Sequence, residues 1–403
     1  MPLGPEELLS RAIAAHERED LVAAAADYQE FLRAHPSFLE PAAAVRVLCN
    51  AVEVHCVLEG PEKAEPLAAE AVRLARETDG SSLAWALFHA GYLAWRRENF
   101  SAAMAALEEA LELARAADDM ETLGPVLLNL ARVSFDQGEW DRGRRLIDEL
   151  MGLTTTGDAL VYGGLHAQGI ARESGDFEKA MSLAEAAWQH LIHRPVLQPA
   201  RLLTALARRC DGAIDLGDLD RARSAVSQAL QLAGRTERQG HAFLAAGALA
   251  LEEENWTGAQ SYFERAVAAE AGTHSHRGAR LWLADALMAA GKHEDADKII
   301  QAIKAEIAIP SPTMAASLLC FEGEISHTRG DLPQARAAYR QAWDEYRRIG
   351  YRASAAAVAL DLGLVEADSG RMESAARYLS EATPLSGRPS YQRCRAELAR
   401  RIA

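Results

Sequence analysis

The residues best suited to chemistry in this chain of 403 are aromatic, and the chemistry they suit is binding. Trp85, Phe88, Tyr92 and Trp95 follow one another at offsets of three, four and three within LAWALFHAGYLAWRRENF, so four rings fall on one side of a helix. That side is not the one a second helix must use to pack against the first. Bond-making chemistry needs convergent groups, and neither a Ser nucleophile elbow, nor a phosphate-binding Gly-rich loop, nor an HExxH helix occurs in the sequence. His274 and His276 share the loop GTHSHRG without a nearby Cys or carboxylate to complete a metal site. His190 and His193 are accounted for by favourable contact with the carbonyls closing a helix. The expectation is a non-enzyme with no metal and no cofactor.

The elements that hold those rings follow from composition. Ala, Leu, Glu and Arg dominate, aromatics make up 6%, and no stretch alternates like a strand, so the chain is expected to be all-α. A net charge of -15 repels a phosphate backbone, which argues against a nucleic-acid partner. The Arg393, Arg395, Arg400, Arg401 cluster reads as a solvated helix end. Five cysteines with no close CxxC pair argue for a reducing compartment, and Cys49 and Cys56, about 10 Å apart on one helix, read as buried thiols. The start MPLGPEELLSRA lacks a signal-peptide pattern, and the longest apolar run, HAFLAAGALAL (241–251), is too short to span a bilayer. A cytoplasmic protein without a membrane partner is expected.

The helix carrying the rings is one half of a hairpin, and the hairpin recurs. Its hinge combines Gly or Glu, commonly an Asp or Asn next, an apolar residue that seals the hairpin, and a small residue three places on. The signature reads Glu19-Asp20-Leu21 with Ala24, Glu98-Asn99-Phe100 with Ala103, Gly138-Glu139-Trp140 with Gly143, and Gly175-Asp176-Phe177 with Ala180. It continues as Gly217-Asp218-Leu219 with Ala222, Glu254-Asn255-Trp256 with Ala259, Gly291-Lys292-His293 with Ala296, Gly330-Asp331-Leu332 with Ala335, and Gly370-Arg371-Met372 with Ala375. Gly takes the left-handed conformation that ends one helix, Asp or Asn caps the next, and the small residue lets the two approach. A tenth, degenerate hairpin is expected between Pro41 and Thr78 with its turn at Gly60 and its second helix starting near Pro66, because Pro61 and Pro66 are not expected inside one regular helix. Sealing residues from Phe100 onward are 40, 37, 42, 37, 37, 39 and 40 apart, longer than a minimal helical-hairpin repeat.

These units resemble tetratricopeptide (TPR) repeats, LLNLARVSFDQGEWDRGRRLIDEL (127–150) most of all, and the long period is similar to TPR arrays of bacterial regulators such as MalT and the Rap family. The resemblance implies a right-handed superhelical solenoid of about ten hairpins over residues 1–387, near 5–36, 41–78, 83–117, 123–152, 159–193, 200–234, 239–271, 276–307, 314–350 and 353–384. A C-terminal solvating helix follows in 388–403. It further implies that first helices line a concave groove, whose places fall on Trp85, Phe88, His89, Tyr92, Trp95 and Arg96. In the next units they fall on Leu128, Asn129, Arg132, Phe135 and Asp136, then on Tyr162, Leu165, His166, Arg172 and Glu173, with Arg46, Asn50 and Glu53 joining from the degenerate unit. An aromatic floor flanked by Arg and Asn suits a peptide or another protein's extended segment; the competing reading buries the same rings between neighbouring first helices. The Lys and Asn set with which chaperone-binding TPR domains hold a C-terminal carboxylate is absent, only Asn129 matching. Two functions are therefore expected to compete: a non-catalytic scaffold or adaptor, and a regulatory sensor whose superhelix responds to a small peptide or metabolite. Neither the partner nor the oligomeric state is legible.

Overall fold

A computed structural model describes residues 3–78, 80–153, 158–193, 199–236, 239–271, 275–307 and 310–403. Among them the secondary structure is helical throughout, without a strand. The first five hairpins are α1 (Pro5–Glu17) with α2 (Leu21–Ala34), α3 (Pro41–Leu58) with α4 (Pro61–Ala75), α5 (Gly80–Arg96) with α6 (Phe100–Ala116), α7 (Met120–Asp136) with α8 (Trp140–Leu153), and α9 (Asp158–Ser174) with α10 (Phe177–Ile192). The second five are α11 (Pro199–Asp215) with α12 (Leu219–Ala233), α13 (Gly240–Glu252) with α14 (Trp256–Ala269), α15 (His276–Ala289) with α16 (His293–Glu306), α17 (Pro312–Thr328) with α18 (Leu332–Arg348), and α19 (Arg352–Asp368) with α20 (Met372–Glu381). A last helix, α21 (Pro389–Ile402), closes the chain.

All nine sealing residues open the second helix of their hairpin, and the residue two places before each seal has a positive φ. With Gly60, the ten turns span φ 58° to 96°, the left-handed region that reverses a helix. Asp20, Asn99, Asp176, Asp218, Asn255 and Asp331 each accept a backbone N–H three residues on, a cap worth about 1 kcal/mol. Eight of the nine small residues after the seals are alanines with no exposed surface; at the ninth, Gly143, a Cβ would fall 2.3 Å from the Phe135 ring. The helices of each pair are therefore in backbone-close contact along a stripe of Ala and Gly.

One expectation fails in the degenerate unit. α4 begins at Pro61, not near Pro66, and runs through Pro66. Pro61 occupies the first helical position, where no N–H is needed, and Pro66 deprives only the carbonyl of exposed Glu62 of its partner. The preceding helix α3 is long and apolar enough to cross a membrane by length and composition, but Val45, Cys49, Val52 and Cys56 on it are fully buried among its neighbours. Both cysteines are unpaired.

First helices touch one another in succession, α3 with α5, α5 with α7, α7 with α9 and α11 with α13, which places them on the inside of the curve. The curve closes on itself. In four of the first five hairpins the end of the first helix, or the turn after it, rests on the entrance of a hairpin five units later: Glu19 Oε2 accepts the Ala200 amide at 2.8 Å, Arg277 pairs with Glu98, Gly138 lies against Pro312, and Ser354 donates to Glu173 at 2.8 Å. At the C-terminus Gly175 lies under Pro384, Gly387 N–H donates to the Asp215 carbonyl, and Ser390 N–H donates to Glu252 at 2.9 Å. The superhelix thus completes a coil every five hairpins and each coil sits on the one before. Three of the ten turns carry Glu in place of Gly, at Glu19, Glu98 and Glu254. All three side chains reach the next coil, the last pairing with Arg393 at 3.0 Å.

Candidate functional site

The aromatic face of α5 lies on the inner wall, and Trp85, Phe88, Tyr92 and Trp95 are all half-buried there. Phe88 and Trp95 lean on the apolar cluster that α5 shares with α7, Trp85 on the one shared with α3. Trp95 Nε1 donates to Asp136 Oδ2 at 2.6 Å, and the Arg132 guanidinium stands 5.5 Å from the Trp95 ring centre. Arg96 donates to Tyr92 Oη at 2.9 Å. His89, the ring between them, is 3% exposed, and neither of its nitrogens has a hydrogen-bond partner. Burial pushes its pKa down to about 3, so it is neutral.

On α7 and α9 the expected groove residues form one connected set with an outlier. Asn129 donates to the Pro125 carbonyl at 2.9 Å and accepts from Arg132, which occupies both ends of its amide. Arg132 Nε donates to His166 Nε2 at 3.1 Å, and burial, reinforced by Arg132 and Arg208, holds the imidazole well below its ordinary pKa. Phe135 does not face the groove; it packs over Gly143 and against Trp140, ring centres 5.0 Å apart, because Gly143 offers no side chain to oppose it. Arg172 is bound to Asp215. Arg46 pairs with Glu121 at 2.9 Å with both largely exposed, Asn50 is half-buried, and Glu53 lies 3.9 Å from His16. The Tyr162 side chain lies outside the described residues, as does His274. His276 Nδ1 is 3.2 Å from the Val267 carbonyl, and His193 caps α10. Among the described residues no three His, Cys, Asp or Glu groups are placed to hold a metal.

The sequence reading missed a second polar set on the same wall. Asp285 on α15, Glu324 on α17 and Asp361 on α19 lie half-buried on the later first helices. Burial first, then repulsion from Glu252 on Asp285, from Asp285 and Asp361 on Glu324, and from Asp285 on Asp361, raises their pKa values to about 6, about 8 and about 7. Register could have found them: Asp285 and Glu324 stand eight places before their seals, as Tyr92 and Arg132 do, and Asp361 eleven before, as His89 and His166 do. It also missed the network at the C-terminal end, where Arg388, 5% exposed, donates to Asp215 Oδ1 at 2.6 Å and pairs with Glu252 at 3.4 Å.

A closed solenoid of helical hairpins with capped left-handed turns and Ala or Gly contacts defines a repeat protein, and the chain is built from tetratricopeptide repeats. Family models described as tetratricopeptide repeat match residues 250–308 and 328–389, and one described as anaphase-promoting complex subunit 5 matches 43–89 and 78–137. Comparison with curated proteins gives no match. Among solved structures, phAimR with its ligand shares 13% identity at TM-score 0.57, covering 90% of this chain and 97% of that one. The apo quorum sensor NprR from B. thuringiensis shares 13% at 0.52, covering 74% and 85%. A Rap protein complexed with Competence and Sporulation Factor shares 14% at 0.50, covering 98% and 99%. At these identities the likeness is one of fold.

Proposed function

We propose that this chain is a non-catalytic interaction protein that holds a peptide, or an extended segment of another protein, against the inner wall of its superhelix. The observation that carries the reading is the face of α5, where four rings are only partly buried beside Arg132 and His166 on the next two first helices. Partly buried rings supply anchoring area at low entropic cost, and the guanidinium supplies a donor for carbonyls or carboxylates. Neighbours of the same fold include one described as a quorum sensor and one described as complexed with Competence and Sporulation Factor, which supports a ligand-binding role. Display selection of random peptides on the intact protein tests it. Selected peptides should lose about tenfold or more in affinity when Tyr92 or Trp95 is changed to Ala, since such anchors commonly carry about 2 kcal/mol. Equal binding by both variants would remove the site from this wall.

A second reading, a sensor whose superhelix responds to its ligand, is favoured by three polar contacts between coils. Glu19 to Ala200, Glu98 to Arg277 and Ser354 to Glu173 are hydrogen bonds that re-form in water at little net cost, so these contacts offer little resistance to a shift of one coil on the other. Small-angle scattering with and without a selected peptide separates the two: a sensor changes its radius of gyration, a scaffold does not.

A further inference from the structure

We propose that a cavity between the two coils of the superhelix binds a small organic cation, an ammonium or guanidinium group on an apolar body, with its charge on Asp136. The cavity holds about 320 Å³, within the range of small-molecule sites, and is walled on one side by the ends of α5 and α7 and on the other by α13, α15 and the start of α17. Phe100, Leu244, Trp282 and Met314 make most of that wall apolar. Two carboxylates border it, and they are not equivalent. Glu98 is already bound to Arg277, which also lines the cavity, so that pair is neutral as a unit. Asp136 accepts one hydrogen bond from a neutral group, the Trp95 indole, and forms no ion pair among the described residues.

A carboxylate in an apolar, half-closed space without a cation is the costly arrangement, and a ligand cation relieves it. The electrostatics agree in direction: burial pushes the Asp136 pKa up, Glu98 adds to it, and neither the Trp95 bond nor the more distant Arg132 reverses the shift. An anion at the same place would face Asp136 and Glu98 with one guanidinium already engaged. A neutral ligand would gain the apolar walls and leave the charge unpaired. The cavity therefore selects for an aromatic or branched amine of about ten heavy atoms, and because its walls belong to two coils, occupancy ties those coils together.

Calorimetric titration of the full chain with phenethylamine tests this, with 2-phenylethanol and phenylacetate as matched neutral and acidic probes. The amine should bind at least about tenfold more tightly than either. Asp136→Asn keeps an oxygen for Trp95 while removing the charge, and should erase that preference. Gly278 lines the cavity and a Cβ there meets nothing within 4 Å, so Gly278→Leu directs bulk into the space and should abolish binding with helicity unchanged. The proposal is overturned if the amine gives no saturable heat at millimolar concentration, if phenylacetate or 2-phenylethanol binds as well, or if either folded variant binds the amine like the parent.

Discussion

At the scale of single residues, Trp95 shows why the sequence left two readings of the aromatic face open. Its ring leans on the α5–α7 cluster like a core residue, while its indole N–H bonds a carboxylate and a guanidinium stands 5.5 Å from it, as at a binding surface. Helical spacing fixes which side of α5 the rings share; it carries no information on how closely the neighbouring inner helices approach, which decides exposure. A Trp95→Ala variant should accordingly lose about 1–3 kcal/mol of stability in chemical denaturation, less than a fully buried Trp, beside its loss of peptide affinity. The carboxylates Asp285, Glu324 and Asp361 make a second prediction. Their folded-state pKa values lie above those of the unfolded chain, so folding holds protons that unfolding releases, and stability falls as pH rises through the folded values. Below about pH 6.5 the buried neutral His89 and His166 act in the opposite sense, which confines the test to the interval from about pH 6.5 to about pH 8. The denaturation midpoint should decline across that interval, and Glu324→Gln should remove much of the slope; a flat profile in the parent would contradict the clustering.

At the scale of elements, almost everything needed was local and therefore legible. A turn requires a left-handed residue, a cap and a small contact residue within seven positions, so the nine signatures located nine hairpins and the starts of their second helices. Ala180 and Ala222 have no exposed surface, and exchanging either for Phe should destabilise the protein by about 1–3 kcal/mol or more by forcing the paired helices apart. An unchanged midpoint would mean that these alanines do not face their partner helices. What local pattern did not explain is why three of the ten turns admit Glu in place of Gly. A non-Gly residue in the left-handed region costs about 1 kcal/mol, and Glu19, Glu98 and Glu254 offset it with bonds to the other coil. Replacing all three with Gly should leave helicity intact, relax each turn, and enlarge the radius of gyration measured by scattering.

At the scale of the whole molecule, legibility ends, because contacts between residues some 130 to 180 positions apart leave no periodic trace in the chain. The repeat pattern implied a groove; the stacking of one coil on the next turns it into an enclosed wall. The C-terminal helix was expected to solvate an open end, and while Arg395 is exposed, Arg388 is sealed between Asp215 and Glu252. Truncating Arg388 to Ala leaves buried Glu252 without its cation, while Asp215 keeps Arg172, and should cost about 3–5 kcal/mol locally, read as faster hydrogen exchange in α11, α13 and α21 than in α1 to α4. Uniform exchange would show that this contact does not hold the coils. The same tie has a mechanical consequence. An open stack of hairpins pulled by its ends peels one unit at a time, each rupture needing only the force that holds a single neighbour. Here the final helix is anchored on the sixth and seventh hairpins, so tension applied at the C-terminus is borne first by the middle of the chain, and the first rupture event should release several hairpins together.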